Sequence, residues 1–153
     1  MSVTMTKEER EAFLAALHVG VLAVTQEGHA PLTVPIWYAY TPGGEVHIVT
    51  GRRSPKTALI ERAGRFSLCA QDEAPPYRYV TVEGPVVAID PADRERDTRP
   101  MARRYLGMTG GDEYMARMAS SDQGADPPPT NGSVLIRMRP ARWLTADFGK
   151  ESG

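Results

Sequence analysis

Tyr77-Arg78-Tyr79-Val80-Thr81-Val82-Glu83-Gly84-Pro85-Val86-Val87-Ala88-Ile89 is the stretch that decides the fold. It is an apolar, β-branched and aromatic run, interrupted near its middle by Gly84-Pro85. Proline donates no ladder hydrogen bond, and glycine in a strand marks a bulge or bend. Long bent strands are what small barrels use to close, so this segment predicts one long strand carried around such a barrel.

The flanking sequence supports the same reading. Upstream, Pro75-Pro76 breaks the chain, and Arg65 to Gln71 predicts a strand with Phe66, Leu68 and Ala70 on one face. Val19 to Thr25 reads as another, followed by a hairpin turn at Gln26-Glu27-Gly28-His29. Pro31 to Tyr40 alternates strictly, with Leu32, Val34, Ile36, Tyr38 and Tyr40 against Thr33, Pro35, Trp37 and Ala39. Thr41-Pro42-Gly43-Gly44 turns it into Glu45 to Thr50, and Ser133 to Met138 and Arg142 to Thr145 close the chain around Pro140. About seven closely spaced strands, with helices after the third and the fifth, predict a mainly β fold: an antiparallel β-barrel with peripheral helices, and no doubly wound sheet.

Thr6 and Glu9 form a capping-box pattern ahead of Phe13, Leu14 and Leu17, which predicts a helix within residues 1–18. Ser54 and Pro55 suit the cap and first position of a second helix, with Ala58, Leu59, Ile60 and Ala63 on its apolar face and Gly64 as its stop. Asp90-Pro91 repeats the cap-plus-proline start, opening a helical stretch that Pro100 is expected to divide before Tyr105. A short helix follows around Asp112 to Ala119, with Tyr114, Met115 and Met118. Ser120 to Gly132, with Pro127-Pro128-Pro129, reads as a flexible loop or lid. The length of 153 residues is that of a single domain, 1–153.

Composition limits the function. Lys+Arg of 18 against Asp+Glu of 19 leaves a net charge of −1, so nothing points to nucleic acid or an anionic membrane. The single cysteine, Cys69, rules out an internal disulfide and offers no metal-ligand spacing; it reads as a small strand side chain. His18, His29 and His47 lie on different elements without metal-site spacing. No signal peptide or membrane span is apparent, so a cytoplasmic protein is expected. The Walker loop, the G-x-S-x-G elbow and the G-x-G-x-x-G fingerprint are all missing, and no catalytic side chain or metal ligand is assigned.

Against that background Thr50-Gly51-Arg52-Arg53-Ser54-Pro55-Lys56-Thr57 stands out. Its hydroxyls and three cations crowd the start of the second helix, where unsatisfied N–H groups and the helix dipole favour an anion. Lys56 in a first turn opposes the dipole unless an anion lies nearby. Read alone, the cluster is either a solvated surface or a phosphate site. Pro35 implies an edge strand or backbone left open to a ligand. Tyr77-Arg78-Tyr79 offers flat faces for a conjugated ring or an ordinary strand face.

Taken in order, Pro35-Ile36-Trp37-Tyr38, Val46 to Thr50, Arg52 to Thr57, Phe66-Ser67-Leu68 and Tyr77 to Gly84 resemble the pyridoxamine 5′-phosphate oxidase-like family. That family has a split β-barrel of FMN-binding type, antiparallel and Greek-key-like. Within it, the sequence looks most like the actinobacterial deazaflavin-dependent oxidoreductases. The resemblance implies a homodimer with coenzyme F420, or alternatively FMN, in a groove at the subunit interface. It places the cofactor phosphate at Thr50, Arg52, Arg53, Ser54, Lys56 and Thr57, and the ring along Val34, Pro35, Ile36 and Trp37. Tyr77, Arg78 and Tyr79 would lie near the groove, contributed by the same or the partner chain. The implied activity is hydride transfer between the reduced deazaflavin and a small conjugated substrate. An FMN-binding oxidase or reductase and a non-catalytic flavin- or haem-binding protein are the alternatives. The chain departs from true pyridoxamine phosphate oxidases at Arg139-Pro140-Ala141-Arg142-Trp143, only a loose counterpart of their C-terminal arginine and histidine pattern, which argues against vitamin B6 oxidation.

Overall fold

A computed structural model describes residues 2–123 and 132–152. Its strands are β1 (Gly20–Val24), β2 (Leu32–Ile36), β3 (Ala39–Tyr40), β4 (Val46–Gly51), β5 (Arg65–Gln71), β6 (Arg78–Pro91), β7 (Ser133–Met138) and β8 (Arg142–Asp147). Three helices accompany them: α1 (Lys7–Ala15), α2 (Pro55–Ala63) and α3 (Arg99–Gln123). The strands run antiparallel in the order β2-β1-β5-β6-β7-β4-β3, with β8 also paired to β6. β2 and β3 stand at opposite ends of that order, yet only Trp37 and Tyr38 separate them in the chain. Such a sheet has to curl until its ends nearly meet, and the result is a split β-barrel with peripheral helices.

The seam corrects one expectation. Pro31 to Tyr40 reads as one strand because its inward alternation carries on through Tyr38, which is fully buried. The backbone nevertheless leaves the ladder at Trp37 and Tyr38 and resumes on the other side of the barrel. Pro35 falls on β2, a terminal strand in the order, where a missing N–H is tolerated.

β6 is the long bent strand. Arg78 to Glu83 pair with β8, Tyr79 to Pro85 with β5, and Val86 to Pro91 with β7, with a register shift between Val86 and Ala88. At the bend the corner between β7 and β8 crosses over Gly84: Arg139 N–H donates to Pro85 (3.0 Å) and Ala141 N–H to Glu83 (2.9 Å). The Arg139 carbonyl sits where a Cβ on residue 84 would stand, so only glycine admits the crossing. The inward faces of these strands build the core from Leu22, Val46, Ile48, Leu68, Val82 and Ile136, among others. Leu14 of α1 and Ile60 of α2 extend it.

Helix boundaries differ in instructive ways. The capping box of α1 is present, with Thr6 Oγ1 accepting from Glu9 N–H and the Glu9 carboxylate accepting from Thr6 N–H. Asp90-Pro91, expected to start a helix, ends β6 instead, because pairing with β7 holds both residues in the ladder. The cap is Asp93, whose carboxylate accepts from Arg96 N–H (2.7 Å) and opens a π-type turn over Arg94–Thr98. The break in α3 falls at Gly107 (φ 79°, ψ 174°), not at Pro100, which lies in the first turn where proline is tolerated. Asp112 bridges Arg99 (2.7 Å) and Arg103 (2.8 Å) across the break. α3 also runs through Gln123, so it takes in the start of the predicted loop; residues 124–131 lie outside the described residues.

The segment leading into α1 is tied to β8 and the residues that follow it. Met5 N–H donates to Thr145 Oγ1 (3.0 Å), Asp147 N–H to the Val3 carbonyl (2.7 Å), and Lys150 Nζ to Glu9 Oε1 (2.7 Å). The Lys150 ammonium, helped by the Thr6 N–H, holds the Glu9 carboxyl down to about 2, against an ordinary value near 4.5. A depressed carboxylate adds stability above pH 4.5 and loses it as pH falls toward 2. Urea midpoints measured from pH 6 to pH 2.5 should therefore fall less steeply for Glu9→Gln than for the wild type. Parallel curves would dismiss the tie.

Candidate functional site

The end of β4 and the start of α2 form one compact turn. Ser54 N–H donates to the Gly51 carbonyl (3.1 Å), and Thr57 Oγ1 donates to the same oxygen (2.8 Å). Thr57 is 1 % exposed and its hydroxyl is spent on that bond, so it shapes the turn from inside. Ser54 occupies the cap position but makes no cap hydrogen bond; its Oγ accepts from Lys56 Nζ (2.9 Å) instead. Arg52 and Arg53 are exposed, and Arg52 pairs with Glu61 (2.8 Å) in an open, weakly stabilising contact. With no acidic residue in its first turn, α2 presents a cation-rich N-terminus. That field suits an anion.

The seam lies close by. Ile36 points into the core, Val34 packs against it, and Pro35 is exposed. Trp37 turns toward α3, stacking face to face on Tyr105 (centroids 5.1 Å apart, planes 5° apart) and tilting against Tyr114 (5.7 Å). Tyr105 Oη accepts from Tyr38 N–H (3.0 Å) and donates to the His18 carbonyl (2.7 Å), satisfying backbone that the sheet leaves unpaired. Arg104 alongside donates to the carbonyls of Ala15 and Ala16 at the end of α1 (3.1 and 3.0 Å). The first half of α3 is thus anchored to α1 and to the seam.

Between them opens a cleft of about 260 Å³. β4 lines it with Val49, Thr50 and Gly51, the seam with Trp37, and Ser133 opens β7 at its edge. α3 covers it with Met101, Ala102, Tyr114 and Met118, and Thr98 of the π-type turn completes the wall. The structure therefore brings Thr50 and Trp37, the ends of two segments singled out in the sequence, to one cavity. Tyr77, Arg78 and Tyr79 lie elsewhere in the chain. Tyr77 is exposed, Tyr79 pairs with Gln71 and Ala146, and Arg78 bonds Asp72 (2.7 Å) over the Phe13 ring (5.0 Å). Arg78 lines two further hollows, one against α1 and one against the Asp72 to Pro76 loop.

The α3 residues are what sequence reasoning did not connect to the site. Tyr114 and Met118, four apart, mark a helical face, but nothing in the sequence says that it covers β4. Among the described residues no group of three or more His, Cys, Asp or Glu is placed to hold a metal, and no helix is long and apolar enough to cross a membrane.

The family model of pyridoxamine 5′-phosphate oxidase matches residues 6–147. The chain belongs to this family. Solved structures share its fold. One is a conserved hypothetical protein from Mycobacterium tuberculosis, at 21% identity and a TM-score of 0.72, covering 99% of this chain and 91% of that one. An F420 reductase matches at 23% identity and a TM-score of 0.58, covering 88% and 94%. An FAD- and haem-binding protein from Mycobacterium smegmatis matches at 16% identity and a TM-score of 0.60, covering 94% and 71%. No curated protein matches the chain.

Tyr105→Phe should keep the stack on Trp37 but leave Tyr38 N–H and the His18 carbonyl without their partner. The expected loss is roughly 1–3 kcal/mol of stability, read from urea unfolding. An unchanged midpoint would show that the hydroxyl contributes nothing at the seam.

Proposed function

We propose that this member of the pyridoxamine 5′-phosphate oxidase family is an oxidoreductase that uses coenzyme F420, with FMN as the alternative cofactor. The observation that carries the reading is a cation-rich helix N-terminus, Arg52, Arg53 and Lys56, beside a tryptophan-walled cleft. Both parts fit the group. A phosphate needs cations and donors without a competing acid, which the first turn of α2 provides. A tricyclic ring needs a flat wall and open backbone, which Trp37 and the terminal strand β2 with Pro35 provide. When bound, the ring supplies the hydride chemistry, so no side-chain triad is required. A reduced cofactor held there would supply the hydride, and the matching proton would come from solvent.

In this reading Arg52, Arg53, Lys56, Ser54 and Thr50 hold the phosphate, and Val34 to Trp37 position the ring. Thr57 keeps the turn in shape. The protein works as a homodimer, supported by an apolar row across the outer barrel face. Pro35, Val21, Cys69, Thr81 and Leu144 are consecutive partners across five strands, so their side chains share that face. Leu144 is 62 % exposed and Val21 40 %. Tyr79 stands in the neighbouring row of the same face, which would carry Tyr77 to Tyr79 toward the partner's groove.

Lys56→Ala should weaken the bound cofactor by roughly 1.5–3 kcal/mol, measured by fluorescence titration with F420 and FMN separately. FMN binding without F420 binding would replace the first cofactor by the second. Binding of either one without reduction of any acceptor would favour a carrier over an enzyme. For the assembly, Leu144→Glu should convert a dimer to a monomer in sedimentation equilibrium, and a wild type that is already monomeric would remove the dimer from the proposal.

A further inference from the structure

The break at Gly107 divides α3 into two halves, and Asp112 of the second half is bonded to the first. Its carboxylate reaches Arg99 (2.7 Å) and Arg103 (2.8 Å). We propose that the second half, residues 108–123, is a lid on the cleft between β4 and α3, hinged at Gly107 and latched by Asp112. The proposal rests on the oxidoreductase reading, in which the molecule admitted is the cofactor ring seated against Trp37. Both halves wall the cleft: Met101 and Ala102 come from the first, Tyr114 and Met118 from the second. Swinging the second half outward carries Tyr114 away from Trp37 and opens the cleft, while the wall built by β4 and the first half stays in place.

The two halves are held differently. Arg104, which binds the Ala15 and Ala16 carbonyls, and Tyr105, which binds the seam, both precede the break. The residues on either side of the hinge are unpacked, Leu106 being 42 % exposed and Met108 63 %, so rotation there disturbs little of the core. The φ and ψ of Gly107 fall in a region essentially reserved for glycine, and they keep the halves from forming one rigid rod. The shut position is nonetheless specific. A Cβ on Gly111 would stand 2.7 Å from the backbone N and Cα of Arg103, so the second half docks on the first through a contact with no room for a side chain. Asp112, the next residue, then meets both guanidiniums, and Arg103 and Arg99 hold its carboxyl below the ordinary aspartate range. Arg99 also bonds Glu95 (2.7 Å), which joins the latch to the π-type turn beside the cleft. All three latch side chains are partly open to water, which keeps the latch weak enough to release. Lids of this kind gate entry and exit without touching the chemistry.

Two measurements on the full chain test the lid: stopped-flow fluorescence of FMN and F420 binding, and acrylamide quenching of Trp37 in a Trp143→Phe background, where Trp37 is the remaining tryptophan. Asp112→Asn keeps the shape and removes the charge. It should raise the association and dissociation rates by the same factor, roughly two- to fivefold, and leave Kd unchanged, because a gate limits both directions alike. Quenching of Trp37 should rise in the same variant with no cofactor present. Gly111→Ala should act in the same direction by forcing the halves apart, although alanine is the better helix former. Faster dissociation of Asp112→Asn at an unchanged association rate would overturn the proposal, since that is the mark of a lost contact, and unchanged rates in both directions would overturn it as well. If neither cofactor binds the wild type, quenching decides alone. Increased quenching in Asp112→Asn then leaves the lid standing and fails the choice of cofactor, whereas unchanged quenching removes the lid itself.

Discussion

Two residues hold the two ends of an eight-stranded sheet together. Because Trp37 and Tyr38 are the whole connection between β2 and β3, the sheet cannot lie open, and the remaining packing answers to that closure. Tyr38 fills the barrel at the seam: it is fully buried, its hydroxyl donates to the Leu14 carbonyl of α1 (2.6 Å), and burial raises its pKa well above the ordinary tyrosine value. Its backbone N–H, which the ladder leaves out, goes to Tyr105 of α3. A chain that must close here therefore gathers α1 and α3 at the same point.

The second constraint is at Gly84, and it reaches the candidate site through the backbone. Val86 N–H donates to the carbonyl of Gly64, the residue that ends α2 (2.9 Å). The bend in β6 thereby fixes one end of α2, while the Thr57 and Ser54 bonds to Gly51 fix the other. The position of Arg52, Arg53 and Lys56 is consequently set by barrel geometry, with little contribution from the charges themselves. The salt bridge of Arg52 with Glu61 is too exposed to do this. Preorganisation of this kind lets an anion bind without first ordering a loop.

The sequence disclosed the barrel where local chemistry and tertiary structure agree. Gly84-Pro85, the turns at Gly28 and Gly43, and the capping box of α1 each have one physical solution, and the structure adopts it. It concealed the barrel's closure because side-chain alternation and backbone pairing part company at Trp37: Tyr38 still faces inward while its N–H has left the sheet. Asp90-Pro91 misleads for a related reason, since a cap-like pair can also end a strand when a neighbour such as β7 holds it. The cation cluster was visible because α2 announces its own N-terminus. The cleft was not, because Thr98, Met101 and Tyr114 acquire their role only by facing β4 and Trp37 across space, which no spacing records.

The contacts between Val3, Met5 and Glu9 and the segment from Thr145 to Lys150 impose an order on synthesis. Met5 and Thr145 are separated by 140 positions. At ribosomal speeds that separation is on the order of 10 s, during which Val3 and Met5 have emerged but their partners on β8 have not. Phe13 and Leu14 meet earlier partners, Arg78 and Tyr38, but Met5, buried in the finished barrel, stays open to water until β8 arrives. The nascent chain thus carries the segment before α1 without its strand partners for most of its translation. Newly made protein should accordingly depend more on chaperones than its finished barrel would suggest, a dependence that comparison of pulse-labelled chains with and without chaperone depletion would reveal.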